Sequence, residues 1–93
     1  MNNFSQKYEI DLQPVRTQSE LHDLLQKILP LPDYYGRNLD SLYDVLMDIG
    51  DNAQITFVNS DFGEEALGKY YKNLNRMCND INNNNPFVKI IFQ

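Results

Sequence analysis

A single α/β domain, with a three-stranded parallel sheet and helices packed on it, is the fold class this sequence predicts. Two strongly apolar runs, Ile55–Val58 and Phe87–Phe92, and one alternating run, Tyr8–Leu12, have the length and residue types of strands. Helical periodicity fills the intervals between them. Strands joined through helices favour parallel pairing by crossover. The expected order is strand, helix, helix, strand, helix, strand. Ninety-three residues suffice for one core without staples, so residues 1–93 read as one domain.

Each element has a local cause. Tyr8-Glu9-Ile10-Asp11-Leu12 alternates apolar and charged side chains, and Pro14 ends the run. Thr17 followed by Glu20 is a capping-box signature. Leu21, Leu24, Leu25 and Ile28 then form the i, i+3, i+4, i+7 stripe of a core-facing helix, stopped by Pro30 and Pro32. His22 falls on that helix's polar side and is expected in solvent. In the connector Asp33–Arg37, Gly36 is the residue able to take a backbone conformation others avoid. Asn38 or Asp40 can cap a second helix, which runs to about Ile49 before Gly50-Asp51-Asn52 breaks it. Ile55–Val58 reads as a strand buried on both faces. From Gly63 or Glu64 a last helix carries the stripe Leu67, Tyr70, Tyr71, Leu74, Met77, Cys78 and Ile81 over about eighteen residues. Asn82–Asn85 and Pro86 form a turn into the final strand.

Composition narrows the function. The N-terminal MNNFSQKYEIDL lacks the basic start and apolar centre of a signal peptide, and no run of eighteen apolar residues occurs. A cytoplasmic location is expected, with no membrane role. Cys78 stands alone, so it reads as a small core hydrophobe in a reducing compartment. Too few Cys and His residues exist for a zinc site, no calcium loop is present, and Gly36 belongs to no phosphate-binding pattern. Neither metal nor cofactor is expected. Thirteen acidic against eight basic residues give a net charge of −5. Phosphate backbones are bound by Lys and Arg, so direct nucleic-acid binding is disfavoured. A basic protein surface is the better partner.

The charge has a pattern. On a helix starting at Asn38, Asp40, Asp44, Asp48 and Asp51 share an arc of roughly 80° at about 100° per residue. Leu39, Leu42, Val45, Leu46 and Ile49 fall opposite. Like charges four apart weaken a helix, and the later aspartates sit toward the negative end of its dipole. A helix that repeats an unfavourable spacing on its solvent face suggests something positive is meant to sit there, the alternative being a merely solvated charged face. Paired carboxylates could also serve acid–base catalysis, but one helix edge supplies no facing wall and no nucleophile accompanies it. The protein is not expected to be an enzyme. Tyr34 and Tyr35 beside these carboxylates make a binding-surface mixture, the alternative being that one packs inward while the other faces out with Tyr43.

The sixteen-residue stretch Leu31–Leu46, LPDYYGRNLDSLYDVL, closely resembles the signature of the barstar family, intracellular inhibitors of secreted bacterial ribonucleases. Weaker similarity extends over Ser19-Glu20-Leu21-His22 and the closing Phe87–Phe92 strand. That family's fold, a three-stranded parallel sheet with helices, agrees with the order read from the residues. The resemblance implies one-to-one inhibition of a barnase-like ribonuclease by a protein that is a monomer when free, an antitoxin-like immunity function. Tyr34, Gly36, Asn38, Leu39, Asp40, Tyr43 and Asp44 match the family's contact positions. Asp44 matches the aspartate that takes the place of an RNA phosphate. Tyr35 and Asp48 border them, and Asp80 corresponds to an acidic contact on the last helix.

Departures bear on the target. Tyr43 stands where the family usually has tryptophan, Asp48 and Ile49 replace a common glycine and tryptophan, and Arg37 occupies a position that is commonly acidic. They keep open an alternative, a barstar-like interaction module that binds another basic protein.

Overall fold

The structure, a computed structural model, describes residues 6–93. Residues 1–5, part of the stretch read for a signal peptide, lie outside the described residues. Strands β1 (Gln6–Asp11), β2 (Ala53–Val58) and β3 (Val88–Phe92) form one parallel sheet in the order β1-β2-β3. Helices α1 (Gln18–Ile28) and α2 (Leu39–Met47) lie between the first two strands, and α3 (Ser60–Leu67) and α4 (Lys69–Asn84) between the last two. None is long and apolar enough to cross a membrane.

Register places the core. Tyr8, Ile55 and Ile90 form one cross-strand row, and Ile10, Phe57 and Phe92 the next. Phe57 and Phe92 stack with ring centroids 4.8 Å apart, and Tyr71 of α4 meets Phe92 edge-on at 5.8 Å. The alternate rows carry Lys7, Gln54 and Lys89, then Glu9, Thr56 and Ile91. Their side chains are exposed or half-buried. β2 is therefore fully buried on one face and half-covered on the other, which corrects the expectation of two buried faces. The apolar residue types had suggested double coverage, but the helices supply only one complete layer.

The last helix of the sequence reading is two helices. Gly68 divides them with φ +55° and ψ −120°, a conformation that L side chains rarely adopt, while its N–H still closes α3 on the Glu64 carbonyl at 2.9 Å. α4 then runs through the stretch expected as a turn, to Asn84, because Asn82 joins the next strand through its side chain. Its amide accepts from the Ile90 N–H at 2.7 Å and donates to the Ile90 carbonyl at 2.8 Å.

Leu21 and Leu25 of α1 are buried as expected, and so is His22 at 2 % exposure, which is a correction. At about 100° per residue His22 stands roughly 60° from Leu25, at the edge of the apolar stripe. Burial is tolerable because both ring nitrogens find partners: Nδ1 lies 2.5 Å from the Tyr35 hydroxyl and Nε2 2.7 Å from the Tyr70 hydroxyl. The expected cap forms, with the Glu20 N–H donating to Thr17 Oγ1 at 3.1 Å. Glu20's carboxylate reaches one residue further back, to the Arg16 N–H at 2.7 Å.

Cys78 is fully buried in the core of α4, and burial pushes its thiol pKa up to about 12. The native thiol is expected to resist a disulfide reagent at pH 8 and to react stoichiometrically once urea unfolds the chain. Full labelling within minutes under native conditions would contradict this placement.

Candidate functional site

The site is built on α2 and the loop before it. Asn38 is the N-cap, its Oδ1 accepting from the Ser41 N–H at 2.8 Å. Ser41 Oγ accepts from the Gly36 N–H at 2.8 Å, and the Asn38 amide donates to the Gly36 carbonyl at 3.2 Å. The loop is thus folded back onto the first turn of the helix. Gly36 serves this closeness rather than an unusual backbone angle, since a Cβ there would come within 3.3 Å of Ser41 Cβ and Oγ. The backbone freedom noted at Gly36 is not used there, and the left-handed conformation in this loop belongs to Arg37, at φ 56°.

Arg37 anchors the loop to α1. Its guanidinium pairs with Asp23 at 2.8 Å, donates to the Ser19 carbonyl and hydroxyl at 3.1 and 3.2 Å, and reaches the Gln26 side chain. These contacts pay the strain of a non-glycine residue at positive φ. They also turn its charge away from the α2 surface, toward Asp23.

The two adjacent tyrosines separate. Tyr34 is 83 % exposed, whereas Tyr35 is 5 % exposed with its hydroxyl on His22. Tyr35, expected at the binding surface, has its ring in the core instead. The Tyr35 N–H closes a turn on the Pro32 carbonyl at 3.0 Å, and the His22 contact of its hydroxyl holds the ring in the core. Burial raises the pKa of the Tyr35 hydroxyl, and burial likewise raises that of Tyr70. His22 is shifted down, mainly by burial, with the Arg37 charge adding to the shift and Asp23 opposing it.

Asp40, Asp44 and Asp48 are all exposed. Asp40 lies in the first turn of α2, where the dipole favours it, whereas Asp48 is the C-cap and no basic residue stands in the last turn. None of the three forms an ion pair with a described residue. Asp51 leaves the row because α2 stops at Met47. It instead borders a separate depression of about 470 Å³, with Leu29, Pro30, Val45 and Ile49.

α4 completes the surface. Leu39, Asp40 and Tyr43 of α2 and Asn73, Arg76, Met77 and Asp80 of α4 line an open groove of about 520 Å³. Four of the residues named from the sequence, Leu39, Asp40, Tyr43 and Asp80, therefore meet in one place. Exposed Tyr34, Gly36, Asn38, Asp44 and Asp48 lie on the same loop and helix outside it. Among the described residues no group of three His, Cys, Asp or Glu side chains is placed to hold a metal ion.

Two supports of the site escaped sequence reading. One is the Tyr35–His22–Tyr70 chain, which ties the loop to α1 and α4. The other is Asn85, 4 % exposed, whose amide spans the Leu46, Met47 and Ile49 carbonyls at 3.0, 3.3 and 3.1 Å. It adds a donor at the end of α2, where the Leu46 carbonyl also accepts from the Ile49 N–H at 3.4 Å. An asparagine within a run of four carries no pattern that could have singled it out.

A protein-family model described as Barstar (barnase inhibitor) matches residues 5–92, nearly the whole chain. YrdF of Bacillus subtilis (strain 168), a protein provisionally named a ribonuclease inhibitor, is 48 % identical over 52 residues, covering 54 % of this chain and 56 % of its own. The chain thus spans about half the length of this curated relative.

Proposed function

This chain belongs to the barstar family, and on that premise we propose that it inhibits a barnase-like ribonuclease by plugging its active site one to one, in the cytoplasm and without chemistry of its own. The observation that carries the reading is the α2 surface: Asp40, Asp44 and Asp48 exposed without cationic partners, beside a groove that adds Asp80. A ribonuclease cleft is lined by cations that hold RNA phosphates. A carboxylate offers acceptor oxygens at the same distance from them, and arginine can fork onto it. Exposed Tyr34 and half-buried Leu39 and Tyr43 supply the apolar and aromatic contact that holds the charges in register. The relative's name, a ribonuclease inhibitor, supports the same reading.

The rigid support matters as much as the charge. With Asn38, Ser41 and Gly36 bonded to one another, Arg37 tied to α1 and Asn85 to the end of α2, the surface is ordered before it meets a target. Preorganisation of this kind lowers the entropy lost on binding. The test is a titration of RNA cleavage by barnase with this protein. The expected result is an equivalence point at one inhibitor per enzyme, with association slowing by at least about tenfold as salt rises from low to physiological. Undiminished cleavage at low salt with barnase and with related nucleases would overturn the reading, leaving another basic protein as the partner.

A further inference from the structure

One cation interrupts the acidic surface. Arg76 shares the α2–α4 groove with Asp40 and Asp80, is exposed, and forms no hydrogen bond or ion pair with any described residue. The other described arginines are occupied. Arg16 donates to the Gln13 and Val15 carbonyls at 2.8 and 3.3 Å, and Arg37 is held by Asp23, Ser19 and Gln26. Arg76 also borders a second depression with Lys72 and Glu64, and Lys69, Lys72 and Arg76 follow one another on α4 at helical spacing. Of these three, Arg76 is the one that borders the acidic face of α2.

We infer that Arg76 is a specificity-determining residue, admitting ribonucleases that place an acceptor against the α2–α4 groove and disfavouring those with an unbroken cationic rim there. The inference rests on the inhibitor reading and concerns which nucleases that same surface accepts. A guanidinium carries five donors, no acceptor, and a charge that is never lost. Pressed against lysines or arginines, it meets like charge and its donors stay unsatisfied. Pressed against a carboxylate or a row of main-chain carbonyls, it completes the contact. Asp80, one turn on, does not neutralise it; a basic residue preceding an acidic one by four is the weaker orientation on a helix. Selectivity through a repulsive element of this sort costs little stability, because the side chain supports nothing in the free protein.

Barnase serves as the probe for a basic nuclease. The parent protein, Arg76→Gln and Arg76→Glu are titrated against RNA cleavage at low and physiological salt, with thermal melts to check folding. The expected result is an inhibition constant lowered about threefold by Arg76→Gln and about tenfold by Arg76→Glu, the gain residing mainly in association at low salt, with the melting temperature unchanged in Arg76→Gln and slightly lowered in Arg76→Glu, which sets a like charge four residues before Asp80. Variants that inhibit no better than an inhibitory parent overturn the specificity assignment alone. Failure of the parent and both variants to inhibit barnase overturns the assignment together with the barnase-directed reading.

Discussion

Replacing Asp44 with alanine is expected to weaken inhibition at least about thirtyfold, more than any other single truncation on the surface. Asp44 sits in the middle of α2, exposed and unpaired, with Asp40 one turn before it and Asp48 one turn after. A carboxylate at the centre of a contact loses its water to the partner, so its interaction with arginine or lysine is felt in low dielectric. Asp40 and Asp48 lie nearer the rim, where solvent screens them, and their removal should act more on association rate than on dissociation. The same substitution should leave the free protein as stable or slightly more so, because it removes two like-charge pairings, with Asp40 and with Asp48, and an unfavourable charge in the C-terminal half of the helix. Equal binding by Asp44→Ala and parent would show that α2 does not supply the phosphate-like group.

Replacing His22 with alanine is expected to destabilise the fold by about 2–4 kcal/mol, as a large-to-small change in a packed interior that also leaves two tyrosine hydroxyls without their partner. Such a loss is a substantial share of the stability of a domain this size. The parent should also carry a pH signature that this variant lacks. Burial lowers the His22 pKa below its ordinary value, so the unfolded chain binds the proton more readily than the folded one. Its contribution is complete above the ordinary histidine value of about 6.5 and is lost as pH falls from there toward the folded pKa. The charged groups nearest the ring are Arg37 and Asp23, with the Tyr35 and Tyr70 hydroxyls against it. Asp11, held low chiefly by the Asn59 side chain and also by the Gln13 N–H, titrates in a more acid window. Urea unfolding at pH 7.5 and 5.5 measures the effect. A parent whose stability does not fall over that interval, or an alanine variant that falls equally, would contradict the assignment. Since Tyr35 adjoins Tyr34 and Gly36, the same protonation should also loosen the binding loop.

The elements that follow from periodicity and caps are legible in the sequence. The Thr17 and Asn38 caps, the alternation in β1 and the stripe Tyr71, Leu74, Cys78, Ile81 are local patterns, and each appears as expected. Most of the candidate surface was legible because it falls within sixteen consecutive residues, and Asp80 came through the family resemblance. The failures share a cause, since they depend on what a distant element supplies. His22 is buried because Tyr70, 48 positions away, reaches its second nitrogen. Tyr35 differs from Tyr34 in that its hydroxyl meets His22, a partner on another helix that the local pattern does not show. Gly68 was hidden because an apolar stripe continues across it, although the backbone does not. Asn85 and Arg76 owe their significance to α2, which lies far earlier in the chain.

The central claim is that α2 takes the place of RNA phosphate in a nuclease active site, and the kinetic pattern of inhibition tests it most directly. Initial rates of barnase are measured over a range of RNA concentrations at several fixed concentrations of this protein. Because binding is expected to be tight, the rates are fitted with depletion of free inhibitor included, and an apparent inhibition constant that rises linearly with RNA concentration, as for a competitor of RNA, is the predicted result. An apparent inhibition constant independent of RNA concentration would place the contact away from the phosphate site and contradict the account.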